Sequence, residues 1–213
     1  MPGPFRVSIV AGAVIVAALL FLPAARAQAA SGVPYAANST IPACVIASPD
    51  GTFLSAITVR DLAFNPVSGS SVELNFSACA VFAPCSFPCA GCTASPALHT
   101  VRKFTDLAGV ASFDLRMGGT CPSERVTIYA DGVLLGTAAF STLDQNGDLS
   151  VTGADMLLVQ AAQLSGDLSA DFDCSGTVTS TDLTIANAHV GVTCNGVVPT
   201  ARRSWGTIKG AYR

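Results

Sequence analysis

Charged side chains are scarce in this chain, at 12% of 213 residues, about half the share usual in a globular protein. Glutamate occurs only at Glu73 and Glu124, histidine only at His99 and His189, and tryptophan only at Trp205. These shortages remove most catalytic templates. Neither histidine stands in a Ser or Cys nucleophile motif, and there is no His-Glu-x-x-His and no Gly-rich phosphate loop. The two glutamates read as solvent-facing strand or loop charges, and no pair of carboxyls is marked for glycoside hydrolysis. A non-enzymatic chain is expected. The net charge of −3 offers no basic surface for phosphates, so nucleic acid is not an expected partner.

Long apolar runs are equally rare. One occurs, Val7–Leu22, preceded by Arg6 and followed by Pro23 and the small-residue stretch Ala24-Ala-Arg-Ala-Gln-Ala29. That order of basic, apolar and small residues predicts a secretory signal peptide over 1–27, with cleavage after Ala27 or Ala29. An uncleaved anchor is the alternative, although a full span takes about 20 residues. A secreted or cell-surface chain with no membrane span after cleavage is the expectation.

The eight cysteines, Cys44, Cys79, Cys85, Cys89, Cys92, Cys121, Cys174 and Cys194, all follow that segment. An even number in an exported chain predicts disulfides. Local logic pairs Cys174 with Cys194, uses Cys44 and Cys121 to tie the first strand to the middle of the domain, and closes two bridges among Cys79, Cys85, Cys89 and Cys92. Zinc on the last four is the alternative. Connectivity does not follow from spacing.

Residues 40–142 carry short alternating runs. Val72, Leu74 and Phe76 alternate with Glu73 and Asn75; Ala111, Phe113, Leu115 and Met117 alternate with Ser112, Asp114 and Arg116. Period two with one polar face predicts half-buried antiparallel strands. Further strands are expected at Ala56–Arg60, His99–Phe104, Val126–Ala130 and Val133–Phe140, with turns at 65–69, 106–109 and a two-residue hairpin at Asp131-Gly132. The expected fold is mainly β, a seven-stranded antiparallel sandwich of immunoglobulin type. The segments Thr58-Val-Arg-Asp61, Asn65-Pro-Val-Ser-Gly69, Val72-Glu-Leu-Asn-Phe76 and Thr105-Asp-Leu-Ala-Gly-Val-Ala-Ser-Phe113 resemble bacterial group 1 immunoglobulin-like domains, the repeats of invasin- and intimin-type adhesins. The Cys-rich insertion at 78–97 departs from that family. The resemblance implies a spacer or ligand-presenting role.

Residues 144–194 hold seven Asp and neither Lys nor Arg. They contain two twelve-residue stretches with oxygen-bearing side chains in register. The first places Asp144, Asn146, Asp148, Thr152 and Asp155 at positions 1, 3, 5, 9 and 12, with the Ser150 carbonyl at position 7. The second places Asp171, Asp173, Ser175, Thr179 and Asp182 at the same positions, with the Thr177 carbonyl at 7. This is how a single loop wraps a hard cation, and two Ca2+ sites are expected. Two like charges about 4 Å apart repel by about 4 kcal/mol at an effective dielectric near 20, so clustered carboxylates call for a counter-ion. Each loop is followed by a helix candidate, 156–164 and 183–190. Val151 and Val178 at position 8 are placed to pack the loops together.

This loop-then-helix duplication over 143–194 resembles a type I dockerin, the calcium-dependent module that docks into a cohesin partner. The resemblance implies partner contacts at Ser180 and Thr181, positions 10 and 11 of the second copy. The first copy departs from the pattern, with Gly153-Ala154 at positions 10 and 11 and Leu149 where glycine is expected. If the backbone needs positive φ there, the first site should be distorted or weaker.

Residues 195–213 carry Arg202, Arg203, Lys209 and Arg213 without an acid, plus Trp205 and Tyr212. A sorting signal, an envelope contact, a docking strand and a frayed terminus all fit this tail. The reading is a secreted calcium-binding protein with a dockerin-like interaction module for a cohesin-like or envelope partner. The alternatives are a self-associating subunit of a calcium-stabilised surface layer or filament, and an accessory component of polysaccharide-degrading complexes.

Overall fold

The computed structural model describes residues 32–121, 125–194, 196 and 197. The expected signal peptide, Glu124 and nearly all of the basic tail lie outside them. Strands β1 (Cys44–Ala47), β2 (Ser55–Thr58), β3 (Ser71–Asn75), β4 (Val81–Pro84), β5 (Thr93–Ser95), β6 (Thr100–Phe104), β7 (Val110–Phe113), β8 (Met117–Thr120), β9 (Arg125–Ala130) and β10 (Val133–Thr142) precede two helices. These are α1 (Gly153–Ser165) and α2 (Ser180–Ala188), and short strands β11 (Val192–Thr193) and β12 (Gly196–Val197) follow.

The chain is mainly β, as the alternating runs predict. Six strands form one sheet in the order β1-β10-β9-β3-β6-β5, while β2 pairs with β7 and β4 with β8. Buried Val72 and Leu74 of β3 face the same core as Ile57 of β2, Phe113 of β7, Ile128 of β9 and Phe140 of β10. Phe76 stacks on Phe82 and meets Phe140 edge-on at 4.9 Å between centroids. The expected hairpin is present: Asp131 and Gly132 take φ of 47° and 81° between β9 and β10, as a two-residue turn with left-handed centres requires.

Several expectations need correction. The run 111–117 is not one strand, because β7 ends at Phe113 and Met117 begins β8, which pairs with β4. The insertion at 78–97 is not merely a loop, since β4 and β5 lie within it. The first strand, β1, runs parallel to β10, so the arrangement is not wholly antiparallel. His99 does not open a strand; it takes φ 50° just before β6 and stacks on Phe82 at 5.2 Å.

A second core lies beneath the helices. Leu143, Val151, Val159, Ala170, Phe172, Ala186 and Val192 form it, and Ile46 and Phe53 from the β part pack against it. No linker intervenes, because β10 ends at Thr142 and the first acidic loop starts at Asp144. All eight cysteines are paired, but not as expected. The bridges are Cys44–Cys174, Cys79–Cys121, Cys85–Cys194 and Cys89–Cys92. Only Cys89–Cys92 is local. Cys174 and Cys194 do not staple their own segment; each bonds to the β part. No cysteine among the former zinc alternatives is left as a free thiol. Among the described residues no helix is long and apolar enough to cross a membrane.

Candidate metal centres

Both acidic loops close on themselves. In each, three carboxylates offer oxygens within 4.8 Å of one another: Asp144, Asp148 and Asp155 in the first, Asp171, Asp173 and Asp182 in the second. The fold brings them together by the same local devices in both copies.

The position-1 carboxylate is the hub. Asp144 is fully buried and accepts the backbone N–H of Gly147 at 2.8 Å, Asp148 at 3.2 Å and Leu149 at 2.8 Å. Asp171 likewise accepts from Ser175 at 3.0 Å and Gly176 at 2.8 Å. To aim those amides inward, the chain takes positive φ at positions 4 and 6. The angles are 74° at Gly147 and 68° at Leu149 in the first loop, 59° at Cys174 and 84° at Gly176 in the second. Each loop therefore has one glycine and one side-chain-bearing residue at these two bends, in opposite order. Leu149 thus takes the left-handed conformation on which the expectation turned, and each loop holds one non-glycine residue in this costly region.

The position-12 carboxylate closes the ring. Asp155 accepts from Thr152 N–H at 2.8 Å and from Asn146 N–H at 3.2 Å. Asp182 accepts from Thr179 N–H at 2.8 Å and Phe172 N–H at 2.7 Å. The threonines are also helix N-caps, with their hydroxyls accepting from Ala154 N–H and Thr181 N–H. This reciprocal capping starts α1 and α2 three residues before the predicted segments, because Asp at N3 satisfies the cap backbone while Thr satisfies the helix.

The remaining candidates line the same rims. Asn146 bonds Asp148 through Nδ2 at 2.9 Å, Asp148 accepts Ser150 N–H at 3.0 Å, and Ser175 donates its hydroxyl to the Thr177 carbonyl at 3.0 Å. Ser180 and Thr181 are exposed on the first turn of α2. Val151 is buried and Val178 partly so in the shared core. The backbone partner of Val151, however, is Val192, bonded at 2.8 Å, rather than the second loop.

The donor set fits a hard divalent cation. All side-chain donors are oxygens, the ligand type that a hard divalent cation takes. Electrostatics point the same way. Burial, with the charges of Asp155 and Asp148 and against the bonds from Leu149 and Gly147, pushes the Asp144 carboxyl up to about 6. Burial also raises Asp171, with Asp182 adding to the shift, while the Ser175 side chain and backbone hold exposed Asp173 low. A cation at the hub relieves the like-charge repulsion that the fold imposes.

Two contributors, Gly118 and Gln145, escaped sequence reasoning, and a third, Cys174, has a partner that it did not find. Gly118 of β8 lies against Asp144, where an added Cβ would stand 1.7 Å from Oδ2. Gln145, buried, donates to the Thr142 carbonyl at 2.6 Å and the Ser169 carbonyl at 2.9 Å, tying the first loop to the turn before the second. Cys174, at position 4 of the second loop, is bonded to Cys44. A buried glutamine at position 2 had no spacing signal; Gly118-Gly119, directly after an alternating run, was the only hint of close approach. Comparison with protein-family models, with curated proteins and with solved structures gave no match.

Proposed function

We propose that the protein is a secreted, non-catalytic calcium-binding protein in which a β-sandwich of immunoglobulin type carries a dockerin-like pair of loop–helix repeats. The repeats bind two Ca2+ ions and present a surface to an extracellular or cell-surface scaffold partner, cohesin-like or part of the envelope. The observation that supports this best is the repetition itself. Two loops with different residues at their bends reach the same three-carboxylate gathering, the same left-handed positions and the same cap. A solvated turn has no reason to reproduce all three.

Export is supported by the four disulfides, which an oxidising compartment favours. The non-catalytic reading is supported by the histidines, whose rings are engaged in packing: His99 on Phe82 and His189 on Phe53. Ser180 and Thr181, exposed at the start of α2, are the proposed partner contacts. Substituting both with bulky acidic residues should abolish capture of a cohesin-type partner while leaving calcium binding intact. Unchanged capture would remove them from the interface.

A second reading, a rigid subunit of a calcium-stabilised surface layer, is favoured by the bridges Cys44–Cys174 and Cys85–Cys194, which make the two halves one covalent body. Light scattering on calcium addition separates the two readings. A monomer supports the docking module, and ordered growth supports the layer.

A further inference from the structure

Position 4 of the second loop is a cysteine anchored outside its own segment. Cys174 lies between the proposed ligands Asp173 and Ser175 and takes φ 59°, in the left-handed region that side-chain-bearing residues rarely adopt unaided. Its counterpart in the first loop is Gly147 at 74°, which needs no such support. The other non-glycine bend, Leu149, is held from outside as well, by the Cys194 N–H on its carbonyl at 3.2 Å. The bend at 174 shapes the site. Beyond it the Ser175 N–H meets Asp171 and Asp173, each at 3.0 Å, and the Gly176 N–H meets Asp171 at 2.8 Å. Cys174 is bonded to Cys44, the first residue of β1, which runs parallel to β10 with Cys44 opposite Ala139. The chain itself fixes the first loop to this strand pair, because β10 runs into it. The disulfide fixes the second.

Exposure separates this bridge from the other three. Cys174 is the one exposed residue among the eight cysteines, and its partner Cys44 is buried. Cys79–Cys121 is buried at both ends, and in the remaining bridges the more accessible partners, Cys92 and Cys194, are half-buried. Exchange goes through the sulfur that an incoming thiolate can reach. We infer that Cys44–Cys174 is a site of exchange with small thiols and that its state sets the affinity of the second calcium site; the second clause rests on the calcium reading of that loop. A thiolate attacks Cys174 Sγ, forms a mixed disulfide there and expels Cys44 as a thiolate that takes a proton from solvent. A second molecule of the thiol displaces Cys174, leaving two cysteine thiols and the small-molecule disulfide. The bend then loses its anchor, and the amides aimed at Asp171 lose their alignment. The first loop holds no cysteine and keeps its affinity. The coupling is reciprocal: calcium that favours the bridged form protects the bridge by the same factor.

Buffers of reduced and oxidised dithiothreitol, with alkylation and peptide mapping, test the exchange on the full secreted chain. In chelator, Cys44 and Cys174 should be alkylated at a ratio that leaves the other three bridges intact; earlier opening of another bridge overturns the site. Calcium titration of the native chain and of Cys44→Ser/Cys174→Ser tests the coupling. The double variant should weaken one of two sites by about 10–100-fold, the usual cost of losing a group that orients ligands, and leave the other unchanged. Cys44→Ser/Cys174→Gly, which places at the bend the residue that needs no anchor, should recover most of that loss. Two unchanged sites in the serine variant overturn the coupling alone. Weakening of both sites, or a loss that glycine does not recover, counts against an action through this bend. A native chain that binds no calcium overturns the calcium reading, while exchange at Cys174 still stands or falls on the mapping. If the variants lose their helical signal, the native chain decides: calcium should raise the dithiothreitol ratio that half-reduces this bridge, and no shift counts against the coupling.

Discussion

Asp144 concentrates the chemistry of the first loop in one side chain. It is fully buried, it holds three amides, and β8 presses on it through a glycine that has no room for a methyl group. Gly118→Ala should therefore displace the carboxylate and abolish one of the two calcium-binding events, which calorimetry would register as a halved stoichiometry. Two retained sites would show that Asp144 is not a ligand. Leu149 supplies a test of opposite sign. A non-glycine residue in the left-handed region costs about 1–2 kcal/mol, partly offset by the chain entropy that glycine loses on folding. Leu149→Gly, at φ 68°, should thus raise stability by up to about 1 kcal/mol and tighten the first site. A destabilised variant would mean that the leucine side chain contributes packing that outweighs its strain.

The direction of the Asp144 shift fixes a pH dependence. Its carboxyl is raised to about 6 from 3.8, so without metal the folded protein binds this proton more tightly than the unfolded chain. The stability it contributes is present below about 3.8 and is lost as pH rises through about 6, on the order of 3 kcal/mol across the window. In chelator, acidification from pH 7 to 5 should raise the melting temperature. In calcium the same change should weaken binding, because the ion must displace the proton. A melting temperature in chelator that falls over this range would contradict the assignment.

At the scale of elements, what was legible and what was not divides by range of interaction. The acidic loops were legible because their chemistry is local: positions 1 to 12 are set by spacing, and capping couples each loop to the helix that follows. Strands β3 and β7 were legible from alternation. β4 and β5 were hidden by prolines and by partners distant in sequence, and β1 reads as a plain apolar run because it is nearly buried throughout. Disulfide pairing failed for the same reason. Cys44 meets Cys174 across 130 residues and Cys85 meets Cys194 across 109, distances that only the assembled sheet can close. Joint replacement of Cys85 and Cys194 by serine should lower stability by about 2–5 kcal/mol and loosen the helical segment first, as read by hydrogen exchange. Uniform loss of protection across both cores would show that the bridge does not act as a local tether.

At the scale of the whole molecule, the β part and the loop–helix part are one body, joined by two disulfides and by Ile46 and Phe53, which enter the second core. Calcium binding at the loops should accordingly stabilise the β part as well as the helices, since ligands that favour the native state shift the whole equilibrium. The segment gathers charges that the unfolded chain separates, so the proposed calcium binding should be coupled to its ordering.

Calcium titration of residues 28–213, followed by calorimetry and circular dichroism, tests the central claim most directly. The proposal predicts about two bound ions per chain, a gain of helical signal and a higher melting temperature. A chain that takes up no calcium, and that keeps its full helical signal and melting temperature in excess chelator, would contradict it.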